Sequence, residues 1–476
     1  MKEYFNRTKI VATIGPASNT ASKMKALIKS GANVFRLNFS HGSHEEHLKR
    51  VELIRELNKN LSVPVAILMD LQGPKIRIGD VENGAISLKL GQKFIITSNP
   101  MLGTCEKVST TYQMLPQDVN KGDIILIDDG NLELRVIDMK DNDVCCQVLH
   151  GGTLKSRKGI NLPDTRVSIP SLTEKDLEDL DFCLNLNVDW VALSFVRNVN
   201  DILELREIIN KTEKLTKIVA KIEKPEAVDC IDAIIEASDA LMVARGDLGV
   251  EIPMEKVPLL QKAIVKKCNE AGKPVIVATQ MLESMVQNPR PTRAEASDVA
   301  NAIIDGADAI MLSAETAAGA YPPLAVRSMA RIIRTVEKET PWIFNKHHDI
   351  IDSTETFLSD RVLATACMLS DETNAKVITG MTLTGFTAFG ISKHRPAASI
   401  YIFTGNRQLL TQLALVWGVR TIYYEKFEST DDSINDIQNI LVNSGILNKN
   451  DVYVTTGTIP VSSRKRTNAI RINVVD

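Results

Sequence analysis

The chain has 476 residues, enough for about three domains at roughly 150 residues each. Hydrophobic residues make up 44% and charged residues 24%, which excludes intrinsic disorder. A net charge of -3, from 56 Lys+Arg against 59 Asp+Glu, gives no basic field to recruit nucleic acid, and the longest apolar runs, about five residues, fall far short of the roughly 20 a membrane span needs.

In chain order, short apolar runs at Lys9–Thr13, Asn33–Leu37 and Val63–Met69 read as strands, and amphipathic stretches follow them. After a gap the rhythm returns at Asp189–Leu193, Lys217–Ile222, Ala240–Val243, Pro274–Ala278 and Ala309–Leu312. Nearly continuous apolar character, rather than alternation, fits parallel strands buried on both faces. Ser43 with Glu46 and Thr292 with Glu295 have capping-box spacing, while Gly31, Gly272 and Gly306 stand where left-handed helix caps are usual. Eight strands, each followed by a helix, predict a closed (β/α)8 TIM barrel.

The gap reads differently. Runs at Ile86–Leu90, Lys93–Thr97, Asp123–Ile127, Leu132–Met139 and Val144–Leu149 are separated by turns such as Asp128-Asp129-Gly130. They predict a small β-barrel domain over 73–170, inserted into a barrel formed by 1–72 and 171–340. Residues 341–476 read as a C-terminal α/β domain, with strands near Lys376–Thr379, Ser399–Phe403, Arg420–Tyr423 and Asp451–Thr455.

Barrel enzymes place their chemistry at the C-terminal ends of the strands. Those positions hold Arg36, Asn38 and Ser40; then Asp70, followed by Lys75 and Arg77; then Lys221 and Glu223, Arg245-Gly246-Asp247, Thr279-Gln280, and Ser313 with Glu315. Glu223 and Asp247 at adjacent strand ends are a donor pair for one hard divalent cation. Lys221, Arg36 and Arg77 supply positive charge for a substrate carrying phosphate and carboxylate.

The stretches KIVATIGP (Lys9–Pro16), RLNFSHG (Arg36–Gly42), DLQGPKIR (Asp70–Arg77), AKIE (Ala220–Glu223) and ARGDLG (Ala244–Gly249) resemble pyruvate kinases. So do ATQMLESM (Ala278–Met285), PTRAEASD (Pro291–Asp298) and LSAET (Leu312–Thr316), and the resemblance runs in order along almost the whole chain. It implies phosphoryl transfer from phosphoenolpyruvate to ADP, giving pyruvate and ATP, with Mg2+ and with Mn2+ as an alternative. Glu223 and Asp247 would bind that metal, Lys221 would neutralise the phosphoryl group in flight and the enolate, and Arg36 would contact the phosphate. Gly246, Asp247 and Thr279 would hold the substrate carboxylate, with Thr279 near the face that is protonated. Arg77, Lys158 and His41 would face the nucleotide, with the inserted domain closing as a lid. Composition, charge and cysteine usage point to a cytoplasmic protein without nucleic-acid or membrane partners, and the resemblance further implies a homotetramer of bacterial type, without the extra C-terminal domain some relatives carry.

One departure stands out. Many members of the family have Glu where this chain has Lys75, and bind K+ through groups matching Asn38, Ser40, Asp70 and a neighbouring carbonyl, that of Leu71. A tethered ammonium in place of that Glu predicts activity that does not require K+. In the C-terminal domain, Thr382, Thr384, Gly385 and Thr387 form a hydroxyl-rich turn, and Arg464 and Arg466 lie in a late basic loop. By family resemblance this is an effector site for a phosphorylated ligand whose identity the sequence leaves open.

Other motifs read as structural. His41, His44 and His47 mimic a zinc spacing, but the first precedes the helix that carries the other two. Cys145 and Cys146 face opposite sides of a strand, Met281 and Met285 have core spacing, and seven Cys without a CxxC fit a reducing compartment. Two rival readings stay open: a Mg2+-dependent lyase of pyruvate-like enolates, which has no use for ADP, and a silent sugar-phosphate sensor, which has no use for Lys221, Glu223, Asp247 and Thr279 together.

Overall fold

The computed structural model describes residues 5–346, 355–426, 429–459 and 466–476. Eight parallel strands close into a barrel: Lys9–Thr13, Val34–Asn38, Ala66–Asp70, Trp190–Leu193, Lys217–Ile222, Ala240–Ala244, Val275–Ala278 and Ala309–Leu312. The first pairs with the last, Lys9 opposite Ala309, and with the second, Thr13 opposite Arg36. Buried side chains divide into two sets, as parallel strands require. Val11, Leu68, Trp190, Met242, Ile276 and Met311 fill the barrel interior, while Ile10, Phe35, Ile67, Val191, Leu241 and Leu312 pack outward against the helices.

Local chemistry starts and stops these helices. Ser43 and Thr292 form reciprocal capping boxes with Glu46 and Glu295, and two more, Thr173–Asp176 and Asn198–Asp201, open the helices Glu174–Asn185 and Val199–Lys211. Helix ends fall at Gly31, Gly272 and Gly306, all at positive φ.

Between the third and fourth barrel strands, the inserted segment forms a six-stranded sheet and a two-stranded ribbon around its own core of Phe94, Ile96, Ile125, Leu134 and Val148. Three short strands escaped the sequence pattern: Lys107–Ser109, Gly152–Lys155 and Ile160–Asn161. Each has two to four residues, too few to show a period. An isolated bridge sets Arg77 opposite Gly159, so that Arg77 and Lys158 become neighbours although 81 residues separate them.

The C-terminal domain is a five-stranded sheet in the order Val419–Tyr423, Ser399–Thr404, Val377–Met381, Val452–Gly457, Ala469–Val474. The last strand, antiparallel to its neighbour, was not evident in the sequence. This domain plugs the N-terminal mouth of the barrel. Leu415 and Ala414 join the interior cluster, and the Trp190 indole N–H donates to the Gln412 carbonyl at 3.2 Å. The opposite mouth is left for chemistry.

Candidate active site

Asp70, the last residue of the third strand, is fully buried and organises the rim. Its register partners are Asn38 on one side and Ala192 on the other. Arg36 Nε donates to Asp70 Oδ2 at 2.6 Å, and Lys221 Nζ lies 3.2 Å from Oδ1. Burial pushes this carboxyl up, but Lys221 and Arg36 more than offset it and hold it below the ordinary carboxylate range. Arg36 also reaches Thr13 Oγ1 at 3.1 Å. One buried carboxylate thus aims two cations into the same space.

Lys221 continues the network to Glu223 Oε1 at 2.9 Å and Ser194 Oγ at 2.7 Å. Burial alone would push its ammonium down, yet Asp70 and Glu223 hold it above the usual lysine range, so it stays charged. Glu223 is buried beside it. Its pKa is raised by that burial and by the Asp247 charge, with Lys221 opposing. Its second oxygen accepts the Phe195 N–H at 2.7 Å. Asp247 is half-buried in the helix Arg245–Glu251, and its carboxylate has no hydrogen bond or ion pair among the described residues. A buried carboxylate beside an open one is a hard oxygen donor set that suits a divalent cation.

Across the mouth, Thr279 has φ 71°, which a β-branched residue rarely adopts. Its Oγ1 accepts the Gly246 N–H at 2.7 Å and donates to the Ala278 carbonyl at 2.6 Å. A Cβ on Gly246 would lie 3.3 Å from that same Oγ1, so any larger residue would have to push the Thr279 side chain aside by a few tenths of an ångström. What pins the turn is Arg245. Its guanidinium pairs bidentately with Asp298 at 2.7 Å on both arms and donates to the Thr279 carbonyl at 2.9 Å. It also reaches Met281 Sδ at 2.7 Å, so this buried methionine is an acceptor as well as packing.

Of the proposed monovalent-cation groups, Asn38, Asp70 and Leu71 already have partners. Asn38 Oδ1 accepts the Ser40 N–H at 3.1 Å, Asp70 holds Arg36 and Lys221, and the Leu71 carbonyl accepts Ser194 Oγ at 2.7 Å. Lys75 turns towards the inserted domain, its Cε 3.6 Å from the point a Cβ on Gly159 would occupy, and its ammonium has no partner among the described residues. Gly73, two residues before it, has φ 69°, and a Cβ there would lie 2.8 Å from Phe195, so DLQGPKIR can pass Ser194-Phe195 only with glycine.

On the inserted domain, Lys158 pairs with Asp128 at 2.7 Å and Arg77 donates to the Arg157 carbonyl at 3.2 Å. The three histidines diverge. His41 is exposed, His44 bonds Asp179 at 2.7 Å, and buried His47 stacks on Phe39 with ring centres 4.2 Å apart. Burial, then Arg50, lowers the His47 pKa to about 4. In the C-terminal turn, Gly385 N–H donates to Thr382 Oγ1 at 3.0 Å, and Thr387 Oγ1 meets Thr467 Oγ1 at 2.9 Å, while Thr384 is exposed. Arg466 lies 3.6 Å from Glu355 and over the Phe386 ring. Arg464 lies outside the described residues.

Three contributors escaped the sequence reading. Ser194 follows the fourth barrel strand and could have been found by the rule that found the others, since it too occupies a strand's C-terminal end. Asp298 lies within a helix 53 residues from Arg245, and no local pattern marks it as that arginine's partner. The Phe195 amide carries no signal in its side chain at all.

Comparison with known proteins identifies the family. The family model described as pyruvate kinase, barrel domain, matches residues 5–326, and that for the pyruvate kinase alpha/beta domain matches 360–473. A pyruvate kinase of Geobacillus stearothermophilus is 46% identical over 476 residues, covering 98% of this chain and 80% of the relative. One from Staphylococcus aureus (strain MRSA252) is likewise 46% identical, over 472 residues, with the same coverage. The crystal structure of a pyruvate kinase from Cryptosporidium parvum superposes with a TM-score of 0.90 at 38% identity, covering 99% of this chain and 96% of that one. With both domain models matched in order, and likeness spanning nearly the full chain, this protein belongs to the pyruvate kinase family of phosphotransferases, whose substrates are phosphoenolpyruvate and ADP.

Proposed function

We propose that the rim carries out phosphoryl transfer from phosphoenolpyruvate to ADP, with Arg36, Lys221 and Thr279 as the catalytic side chains. The observation that carries this reading is charge balance: Asp70, Glu223 and Asp247 face Arg36 and Lys221, leaving one negative charge in excess. A divalent cation on Glu223 and Asp247, Mg2+ or Mn2+, would supply Lewis-acid polarisation and turn that excess positive, matching an anionic substrate. Arg36 orients the phosphate, steered by Asp70. Lys221 remains protonated and offsets charge on the transferring group and on the enolate left behind. The amides around Gly246 and Asp247, with Thr279 Oγ1, receive the carboxylate. The Gly246 N–H would exchange its Thr279 partner for a substrate oxygen.

In this reading residues 73–170 are the lid, presenting Arg77 and Lys158 to the nucleotide phosphates, with His41 nearby, and excluding water from the transfer. Residues 1–72 with 171–340 form the catalytic domain, and 341–476 the regulatory one. Activity does not require K+. Support comes from Lys75, which brings a cation to the segment where many members of the family carry an acid, and from the internal partners that Asn38 Oδ1, Asp70 and the Leu71 carbonyl already have. A phosphorylated effector binds at Thr382, Thr384, Gly385 and Thr387 with Arg464 and Arg466. The enzyme works as a cytoplasmic homotetramer. Free thiols at all seven cysteines fit that compartment, exposed Met254 and Leu259 fit subunit contact, and no described helix is long and apolar enough to cross a membrane.

The test is pyruvate formation from phosphoenolpyruvate and ADP with Mg2+, in buffer stripped of K+ and NH4+, then with K+ restored. Full activity without K+ is expected. Activity that appears only with K+ refutes the role of Lys75, and silence in both buffers refutes the transfer chemistry.

A further inference from the structure

Glu251 ends the helix Arg245–Glu251, four residues after Asp247, and Lys224 directly follows Glu223. The two side chains form a buried ion pair, Lys224 Nζ to Glu251 Oε1 at 2.7 Å, with 10% and 1% of each exposed. The same Oε1 accepts Asn161 Nδ2 at 2.8 Å. Asn161 belongs to the inserted domain, on the strand Ile160–Asn161 that follows Lys158 and pairs with Ile124–Ile127. Glu251 Oε2 is buried and has no hydrogen-bond partner among the described residues. Burying an ion pair costs desolvation that its attraction repays poorly, and a lone buried acceptor adds to that cost. Packing therefore gives little reason for a carboxylate here, whereas a fixed geometry does.

We propose that Glu251 is a positioning residue that ties the inserted domain, through Asn161, to the two barrel segments bearing Glu223 and Asp247. It thereby sets where Arg77 and Lys158 stand relative to the reacting phosphate. This rests on reading residues 73–170 as the nucleotide-side lid. The tie acts on nucleotide binding and not on the phosphoenolpyruvate site, because Asn161 lies on the lid, while among the described residues Lys221 bonds Asp70, Glu223 and Ser194 and neither Lys224 nor Glu251.

The test compares N161D, E251Q and the double exchange N161D/E251Q in the full-length enzyme. N161D sets two carboxylates at hydrogen-bond distance and is expected to raise the KM for ADP about tenfold, with the KM for phosphoenolpyruvate within about twofold. The double exchange restores an amide–carboxylate pair with donor and acceptor reversed, and brings the KM for ADP back to within about twofold of the unaltered enzyme. Asn161→Ala, which deletes one hydrogen bond, is expected to raise that KM about threefold and serves if N161D does not fold. An unchanged KM for ADP in these variants, or equal losses in the single and double exchanges, overturns the proposal. K158A separates the two levels. If it raises the KM for ADP while the Asn161 variants do not, the tie alone fails; if it too has no effect, the lid reading fails with it.

Discussion

Asp298 makes no contact with the proposed catalytic side chains, yet its hold on Arg245 is expected to make it a strong determinant of rate. Its carboxylate holds Arg245 bidentately, and Arg245 in turn fixes the Thr279 carbonyl at 2.9 Å and the Ala278 carbonyl at 3.3 Å. Those bonds hold Thr279 at φ 71° and Gln280 at φ 53°, a conformation that for a β-branched residue costs about 1–3 kcal/mol. In D298A, Arg245 loses two charge-assisted hydrogen bonds, worth about 1.5–3 kcal/mol where the arginine is only 15% exposed. If most of that energy serves to keep Thr279 Oγ1 in place, kcat falls about tenfold to a hundredfold. Stability falls by less, about 1–2 kcal/mol, because relaxing the turn releases part of the stored strain. Steady-state kinetics and thermal melting of D298A and D298E measure both. The glutamate variant, able to pair with Arg245, should recover part of kcat. A D298A enzyme with kcat and the KM for phosphoenolpyruvate within twofold of the original, yet clearly destabilised, would refute the coupling to Thr279.

Replacing Lys221 by Met should lower kcat more than a thousandfold with little loss of fold, a result checked by activity assay and circular dichroism; near-normal turnover would remove Lys221 from the chemistry. D247N should raise the Mg2+ concentration for half-maximal activity at least tenfold, read by metal titration, because one of the two carboxylates proposed as donors is lost. That metal requirement should also rise as pH falls, since Glu223, its pKa raised chiefly by burial, must lose its proton to bind. Two buried groups at the closed mouth of the barrel should shape stability against pH in opposite senses. Burial raises the Asp189 pKa to about 7, so the folded state holds a proton that the unfolded state releases, and stability declines from about pH 4 to pH 7. Burial, then Arg420, lowers the Lys9 pKa to about 7, so stability recovers from about pH 7 to pH 10. Melting curves of D189N should accordingly show a gain that grows up to pH 7, and those of K9M a gain that shrinks above it. Parallel melting profiles for the original and either variant would contradict the assignment.

Much of the molecule was legible because its signals are local. A run such as Ala240–Ala244 is apolar throughout because both faces are covered, and Ser43 with Glu46 marks a helix start from three residues' separation. Arg36, Asp70, Lys221, Glu223, Asp247 and Thr279 could be chosen from sequence because a barrel collects the C-terminal ends of its strands in one place, so strand position alone predicts proximity. Only the tertiary structure could decide partners. The strand count does not say that Asp70 takes both Arg36 and Lys221, that Asp298 clamps Arg245, or that Asn161 of the inserted domain meets Glu251 of the barrel. Nor does it reveal that Lys75 turns towards Gly159 while Ser194 takes the Leu71 carbonyl. The physical reason is range. Periodicity and capping are set by neighbours a few residues away, whereas these contacts join side chains 34 to 151 residues apart, and their geometry exists only once the barrel has closed.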